Sequence, residues 1–194
     1  PYLVAQYAVL EACAKTVSVG SAPLALTDCL CFGKPEKPEE MWQFSQSCIA
    51  IREACDLLHF NGTNNLPVVA GNVSFYNQSG DQSIPASPMI GCFGKVSKKR
   101  ILKNGFVNGG SNLYLLGENP VFIGGSIVAS VLNIKNTKLE KFDVKNYSNM
   151  LNCVLEANAA SLLNSCNYVG LGGLATTLFK MSFVNNIGLS LIHI

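Results

Sequence analysis

The spacing of apolar residues predicts two amphipathic helices in the first sixty positions. One stripe recurs at intervals of four and three residues and consists of Leu3, Tyr7, Leu10, Ala14 and Val17. A second has intervals of three and four and consists of Met41, Phe44, Cys48, Ile51, Cys55 and Leu58. Such intervals place side chains on one helical face. Pro38, followed by two glutamates, suits the first turn of the second helix, because proline and acidic residues both favour that position.

Short apolar runs between these stripes predict strands. Residues 24–27 form a buried run that we expect to stop at Asp28. Residues 67–70 form a second run, which continues into the segment 71–77, and residues 89–96 form a third after a turn at Gly80 and Asp81. Strands that alternate with helices indicate an α/β (α+β) architecture.

The second half of the chain has weaker patterns. A Gly- and Asn-rich linker at 108–112 precedes a predicted strand at 113–116. Further helices are predicted at 174–183 and around Tyr147, Leu151, Val154, Leu155 and Leu162. We therefore expect one domain over 1–109, an incomplete second domain over 110–188, and a foreign or truncated tail over 189–194.

Composition narrows the classes of function. Only 13% of the 194 residues are charged and the net charge is +2, which argues against a disordered charged tail and against a nucleic-acid partner held by a strong positive field. The longest apolar stretch, 121–134, is too short to span a bilayer, so no membrane association is expected. The eight cysteines include no C-x-x-C pair and are expected to be small buried residues in a reducing cytoplasm. A surface with so little charge suggests a piece of something larger.

Polar residues near two predicted strand ends are the candidate site. Asp28 follows the first buried run, and Gly71, Asn72 and Ser74 end or follow the second. Ligands of α/β sheets gather beyond the carboxyl ends of strands. Glycine allows a phosphate to approach the backbone, and an amide oxygen such as that of Asn72 is a hard ligand for Mg²⁺. Ser74 would share a strand face with Asn72. From spacing alone, the favoured interpretation is that Asp28 is a turn former and that Gly71 and Asn72 form a tight turn.

Two strings carry a resemblance to a known family. Residues 25–39 (ALTDCLCFGKPEKPE) and 67–77 (PVVAGNVSFYN) closely resemble the large synthetase subunit of the phosphoribosylformylglycinamidine synthase family, in the family's order. The resemblance implies an N-terminal-type α/β domain of the aminoimidazole ribonucleotide synthetase-like superfamily, here the second copy in the parent enzyme. The start of the paired C-terminal-type α/β domain would follow it.

The resemblance also implies an activity. In this family, ATP, formylglycinamide ribonucleotide and ammonia derived from glutamine give formylglycinamidine ribonucleotide, ADP and phosphate, a carbon–nitrogen ligase reaction of purine biosynthesis. Carried over by position, Asp28 and Gly71 would contact ATP, Asn72 would bind Mg²⁺ and Ser74 would contact the ribonucleotide. No catalytic residue is expected within this chain. The implied partners are the rest of the synthetase, a glutaminase component and a small accessory subunit, and the chain alone is expected to be inactive.

One stretch departs from the family pattern and leaves alternatives open. Residues 165–174 resemble a family segment that has His-Asp and a further acidic residue where this chain has Asn167, Tyr168 and Leu171. Lost acidic groups would weaken a metal or nucleotide site. The alternatives are a non-catalytic structural half with a degenerate nucleotide site, or another ATP-using member of the superfamily, such as a small-molecule kinase or selenophosphate synthetase.

Overall fold

The computed structural model describes residues 1–60, 65–117, 123–135 and 137–191. It mixes helices and strands, as the sequence predicts. The helices are α1 (Tyr2–Ser18), α2 (Pro38–Leu57), α3 (Ile127–Val131), α4 (Val144–Ala159) and α5 (Gly173–Asn185). The strands are β1 (Ala22–Cys31), β2 (Val68–Ser74), β3 (Gln78–Ser79), β4 (Gln82–Ser83) and β5 (Ser87–Lys95).

The main sheet has three strands in the order β2-β1-β5. β1 runs parallel to β2 and antiparallel to β5. The parallel pair is joined through α2, because parallel neighbours require a long crossover connection. β3 and β4 form a separate hairpin. Its turn consists of Gly80 and Asp81, as the sequence predicts, and Gly80 has a φ of +58.

Helices cover one face of the sheet. α1 and α2 pack against each other, and their buried side chains share one core with Leu26 and Leu30 of β1. The buried face of α1 is shifted from the predicted stripe, because Leu3 and Tyr7 are only half-buried whereas Ala5, Val9 and Cys13 are fully buried. Small residues allow the two helices to approach closely, which the spacing of large residues does not reveal.

The opposite face of the sheet is more open. Met89 and Phe93, which lie on this face of β5, are 51% and 56% exposed. Met89 pairs with Cys29 of β1, and Phe93 pairs with Ala25. Cys29 and Ala25 therefore lie on the same face of the sheet as Met89 and Phe93. The sheet therefore has one packed face and one face that carries exposed apolar and sulfur-containing side chains.

The second half of the chain packs back onto the first. Leu151, Val154 and Leu155 of α4 belong to the same core as α1 and α2. Leu162, which was predicted to share this helical face, lies beyond the helix and is 74% exposed. The predicted domain boundary near residue 110 falls between exposed glycines and stays a prediction.

The predicted strand at 113–116 is wrong. These residues are exposed and form no ladder with another strand of the described chain. An apolar run without a neighbouring strand cannot satisfy its backbone hydrogen bonds by pairing.

The apolar stretch at 121–134 and the predicted tail at 189–194 lie partly outside the described residues. Among the helices that the structure describes, none is long and apolar enough to cross a membrane.

Candidate functional site

β1 continues through Asp28, contrary to the sequence expectation that it stops there. The strand runs to Cys31 because its last residues pair on both sides, for example Cys31 with Ser74 of β2 and with Ser87 of β5. A ladder on each side keeps the backbone extended even where the side chains are polar. Asp28 is therefore an internal strand residue, three positions before the end.

Asp28 and Gly71 face each other across the parallel pair. A Cβ atom added to Gly71 would lie 2.3 Å from Asp28 Oδ1, so a larger residue at this position would force the carboxylate to move. The carboxylate also accepts the backbone N–H of Asn72. Burial raises the pKa of Asp28, and the bond from Asn72 partly opposes that rise. Asp28 thus holds β2 in place through its backbone.

The Asp28 side chain points toward α2. It lines a cavity of about 290 Å³ with Arg52 and the apolar residues Leu30, Ile51 and Leu66, among others. The cavity combines a carboxylate, a guanidinium group and an apolar wall.

Asn72 and Ser74 lie on the other face of the sheet. They pair with Cys29 and Cys31 of β1, and the Asn72 amide donates to Cys29 Sγ at 3.6 Å. The expectation that Asn72 and Ser74 share a face agrees with this pairing. The structure therefore brings the four predicted site residues onto neighbouring positions of β1 and β2, but divides their side chains between two faces.

Asn77 orients Ser74 and was not singled out in the sequence. Its side-chain NH₂ donates to the Ser74 carbonyl at 2.8 Å and to the Phe32 carbonyl at 3.1 Å, and its Oδ1 accepts from the Ser74 hydroxyl at 3.4 Å. The Asn77 backbone N–H also donates to the Phe32 carbonyl. Asparagine side chains commonly form hydrogen bonds to nearby backbone in turns. The position of Asn77 just after β2 is the sequence feature from which this role could have been predicted.

The loop after β1 is tied to the same turn. The Gly33 N–H donates to the Glu40 carboxylate at 3.3 Å, and the Tyr76 N–H donates to the Gly33 carbonyl at 2.9 Å. The Tyr76 hydroxyl donates to Glu36, which raises the pKa of Tyr76. Tyr76 has φ +59, a conformation that non-glycine residues adopt rarely. These bonds fix the carboxyl ends of β1 and β2 relative to each other.

The residues present fit Mg²⁺ only in part. Asn72 is exposed and offers one amide oxygen, while the nearest predicted site carboxylate, Asp28, points to the opposite face. Within the described ranges, no group of three or more His, Cys, Asp or Glu side chains could hold a metal ion. Mg²⁺ keeps several waters and takes ligands from substrate phosphates. Asn72 therefore suits a single ligand to a metal–phosphate complex rather than a self-sufficient metal site.

The divergent segment 165–174 is used for packing. The Asn167 amide donates to the Asn104 carbonyl at 3.1 Å, and the Cys166 N–H donates to the Lys103 carbonyl at 3.0 Å. Tyr168 packs against the core, and burial raises its pKa to about 12. Asn167 and Tyr168 thus join this segment to the rest of the chain, whereas Leu171 is 82% exposed.

Comparison with known proteins defines the class. Residues 1–96 match the family described as AIR synthase related protein, N-terminal domain, which covers α1 through β5 and includes all four candidate residues. The first half of the chain is therefore an α/β domain of this class.

The particular family follows from whole-chain similarity. The chain is 41% identical over 192 residues to the phosphoribosylformylglycinamidine synthase subunit PurL of Campylobacter lari and to that of Campylobacter concisus. Each match covers 98% of this chain and 26% of the relative. The chain is thus similar to PurL over nearly its whole length, and it spans about a quarter of the length of these relatives.

Solved PurL structures show a partial likeness. Thermotoga maritima PurL complexed with ATP is 36% identical with a TM-score of 0.45, over 52% of this chain and 16% of that one. The same protein complexed with FGAR is 34% identical with a TM-score of 0.46, over 54% and 16%. The family assignment rests on the sequence relationship rather than on these superpositions.

Proposed function

We propose that this chain is part of a PurL-type synthetase that converts formylglycinamide ribonucleotide, ATP and ammonia to formylglycinamidine ribonucleotide, ADP and phosphate. The observation that carries the proposal is the fit of Gly71 against Asp28 inside a chain that is related to PurL over 98% of its length. That fit explains why the two motifs need these residues together. The incoming nitrogen would come from glutamine.

We assign the proposed ligand contacts from the position of each residue in the sheet. Asn72 and Ser74 present polar groups on the open face, where Asn72 would bind Mg²⁺ and Ser74 would contact the ribonucleotide. Asp28 and Gly71 would contact ATP. Because phosphoryl transfer requires ATP, Mg²⁺ and the ribonucleotide on one side of the sheet, ATP would bind along the edge strand β2, next to Asn72. Mg²⁺, when bound, would neutralise charge on the transferring phosphate.

The reaction requires positioned donors more than a nucleophile from the protein. The γ-phosphoryl group of ATP passes to the amide oxygen of the substrate, ammonia attacks the activated carbon, and phosphate leaves with that oxygen. Catalysis of phosphoryl transfer is mainly positioning and electrostatic stabilisation. Asn77 would serve this by holding the Ser74 hydroxyl at a fixed orientation.

The proposal includes the partners and the cellular location of the enzyme. A glutaminase component would supply ammonia, the rest of the synthetase would complete the site, and a small accessory subunit would join the assembly. We propose a cytoplasmic location, and no general base within this chain.

A second candidate is a structural half with a degenerate nucleotide site. The packing of Asn167 and Tyr168, which stand where the family has His-Asp, favours it. In that case Asn72 and Ser74 would be dispensable for the activity of the whole protein.

Complementation separates the two candidates. A full-length protein containing this chain is expressed in a purine auxotroph that lacks the synthetase, with and without Asn72→Ala combined with Ser74→Ala. The matched control is Ser111→Ala combined with Asn112→Ala, since both residues are exposed and far along the chain from the motif. Growth that is lost only with the motif variant supports the catalytic proposal. Equal growth with both variants supports the structural half.

A further inference from the structure

Two thiols lie side by side on the open face of β1. Cys29 and Cys31 are free and half-buried, and their Sγ atoms are 3.8 Å apart. Two thiolates bound at about 2.3 Å to one tetrahedral ion would have about this separation. The pair needs little rearrangement to chelate a cation between the two sulfur atoms.

A third sulfur donor is in register with this pair. Met89 of β5 pairs directly with Cys29, and directly opposed residues of an antiparallel pair share a face. Met89 is half exposed, so its thioether is accessible from the same side. On the β2 side, the Asn72 amide already contacts Cys29 Sγ.

We propose that Cys29, Cys31 and Met89 form a binding site for a soft cation of the Cu(I) type on the open face of the sheet. Thiolate and thioether ligands together select soft cations, whereas Mg²⁺ and Ca²⁺ prefer oxygen. Binding forms two Cu–thiolate bonds and one Cu–thioether contact. Two thiol protons pass to solvent, and copper stays Cu(I), so no oxidant or reductant is consumed.

The site has a consequence for the neighbouring motif. A cation held by Cys29 would lie beside Asn72 and across the strand pair from Ser74. It would occupy the face on which the ribonucleotide is proposed to bind, so Cu(I) would inhibit the whole enzyme. This consequence rests on the proposed function, but cation binding itself does not.

The test is an anaerobic titration of the 194-residue chain with Cu(I) in competition with the chromophoric chelator bicinchoninate. We expect one tight equivalent for the wild-type chain. Because the second thiolate acts as an intramolecular ligand, Cys29→Ser or Cys31→Ser should weaken binding about 100-fold or more. Met89→Leu removes only the thioether and should weaken binding at least about tenfold.

Cys153→Ser is the matched control. Cys153 is also a free cysteine, but it is exposed on α4 and is not a residue of the sheet. The Cu(I) affinity of this variant should equal that of wild type. Cys31→Asn provides a further variant at the site, with circular dichroism as the check on folding. The proposal is overturned if Cys29→Ser binds as tightly as wild type, or if Cys153→Ser alone abolishes binding. Failure of complementation would not affect this result, because the titration does not depend on activity.

Discussion

Gly71 allows the carboxylate of Asp28 to lie against the backbone of β2, and Gly71→Ala tests that contact. The added Cβ would lie 2.3 Å from Asp28 Oδ1 and 3.1 Å from Cγ, both shorter than ordinary contacts. The Asp28 side chain is short and partly enclosed by α2, so it must move away. That movement breaks its hydrogen bond from the Asn72 N–H.

The expected magnitude depends on whether Asp28 is present. Overpacking at a well-packed site typically costs about 1–3 kcal/mol, so Gly71→Ala should lower the free energy of unfolding by that amount. In an Asp28→Ala background the obstacle is gone. Alanine then stabilises a strand by about 0.5–1 kcal/mol relative to glycine, and the substitution should be neutral or favourable.

Urea unfolding followed by circular dichroism measures both backgrounds. The effect of Gly71→Ala on the free energy of unfolding should differ by at least about 1 kcal/mol between the two backgrounds. Gly109→Ala is the control, because nothing lies within 4 Å of its added Cβ, and it should change the free energy of unfolding by less than about 0.5 kcal/mol. An equal cost of Gly71→Ala with and without Asp28 would refute the proposed contact.

Three further substitutions test other parts of the fold. Asn77→Ala removes an amide that makes three hydrogen bonds and should cost about 1–3 kcal/mol of unfolding free energy in urea titrations. Asp143→Ala removes the side-chain acceptor of the Asn146 N–H at the start of α4 and should cost about 1 kcal/mol in the same assay. Tyr168→Phe should reduce the loss of stability at alkaline pH, measured as the urea midpoint between about pH 9 and pH 12.

The sign of the Tyr168 effect follows from its pKa. Burial raises the pKa from 10.0 to about 12, so the folded state keeps a proton that the unfolded state loses. The stabilisation is complete below about pH 10 and disappears as the pH rises toward about 12. An alkaline slope that is unchanged in Tyr168→Phe would contradict this assignment.

An exposed neighbour provides a control for Asp143→Ala. Lys145→Ala, in the first turn of α4, should leave stability nearly unchanged, whereas equal losses with Asp143→Ala would argue against the cap. An Asn77→Ala variant as stable as wild type would show that its three hydrogen bonds contribute nothing measurable.

Local signals in the sequence predicted several elements well. Pro38 is the first residue of α2, and the predicted helix at 174–183 lies within α5. The turn at Gly80 and Asp81 joins β3 to β4. Each of these depends on proline geometry, glycine geometry or helical spacing, all of which act over a few residues.

Features that depend on distant partners could not be predicted in the same way. β1 continues past Asp28 because β2 and β5 pair with it, and the segment 113–116 is no strand because nothing pairs with it. The sequence motif predicted that Asp28 and residues 71–74 lie close together. It did not predict that the side chains of Asp28 and Asn72 lie on opposite faces of the sheet. That division requires the strand register, which a single sequence does not contain.

The most direct test of the proposed function is phosphate release by a purified full-length protein that contains this chain. With ATP and Mg²⁺ present, release should require both formylglycinamide ribonucleotide and ammonia. Asn72→Ala should lower kcat/KM at least about tenfold, while Asn112→Ala should not. Phosphate release that ignores the ribonucleotide, or that is unchanged in Asn72→Ala, would contradict the account.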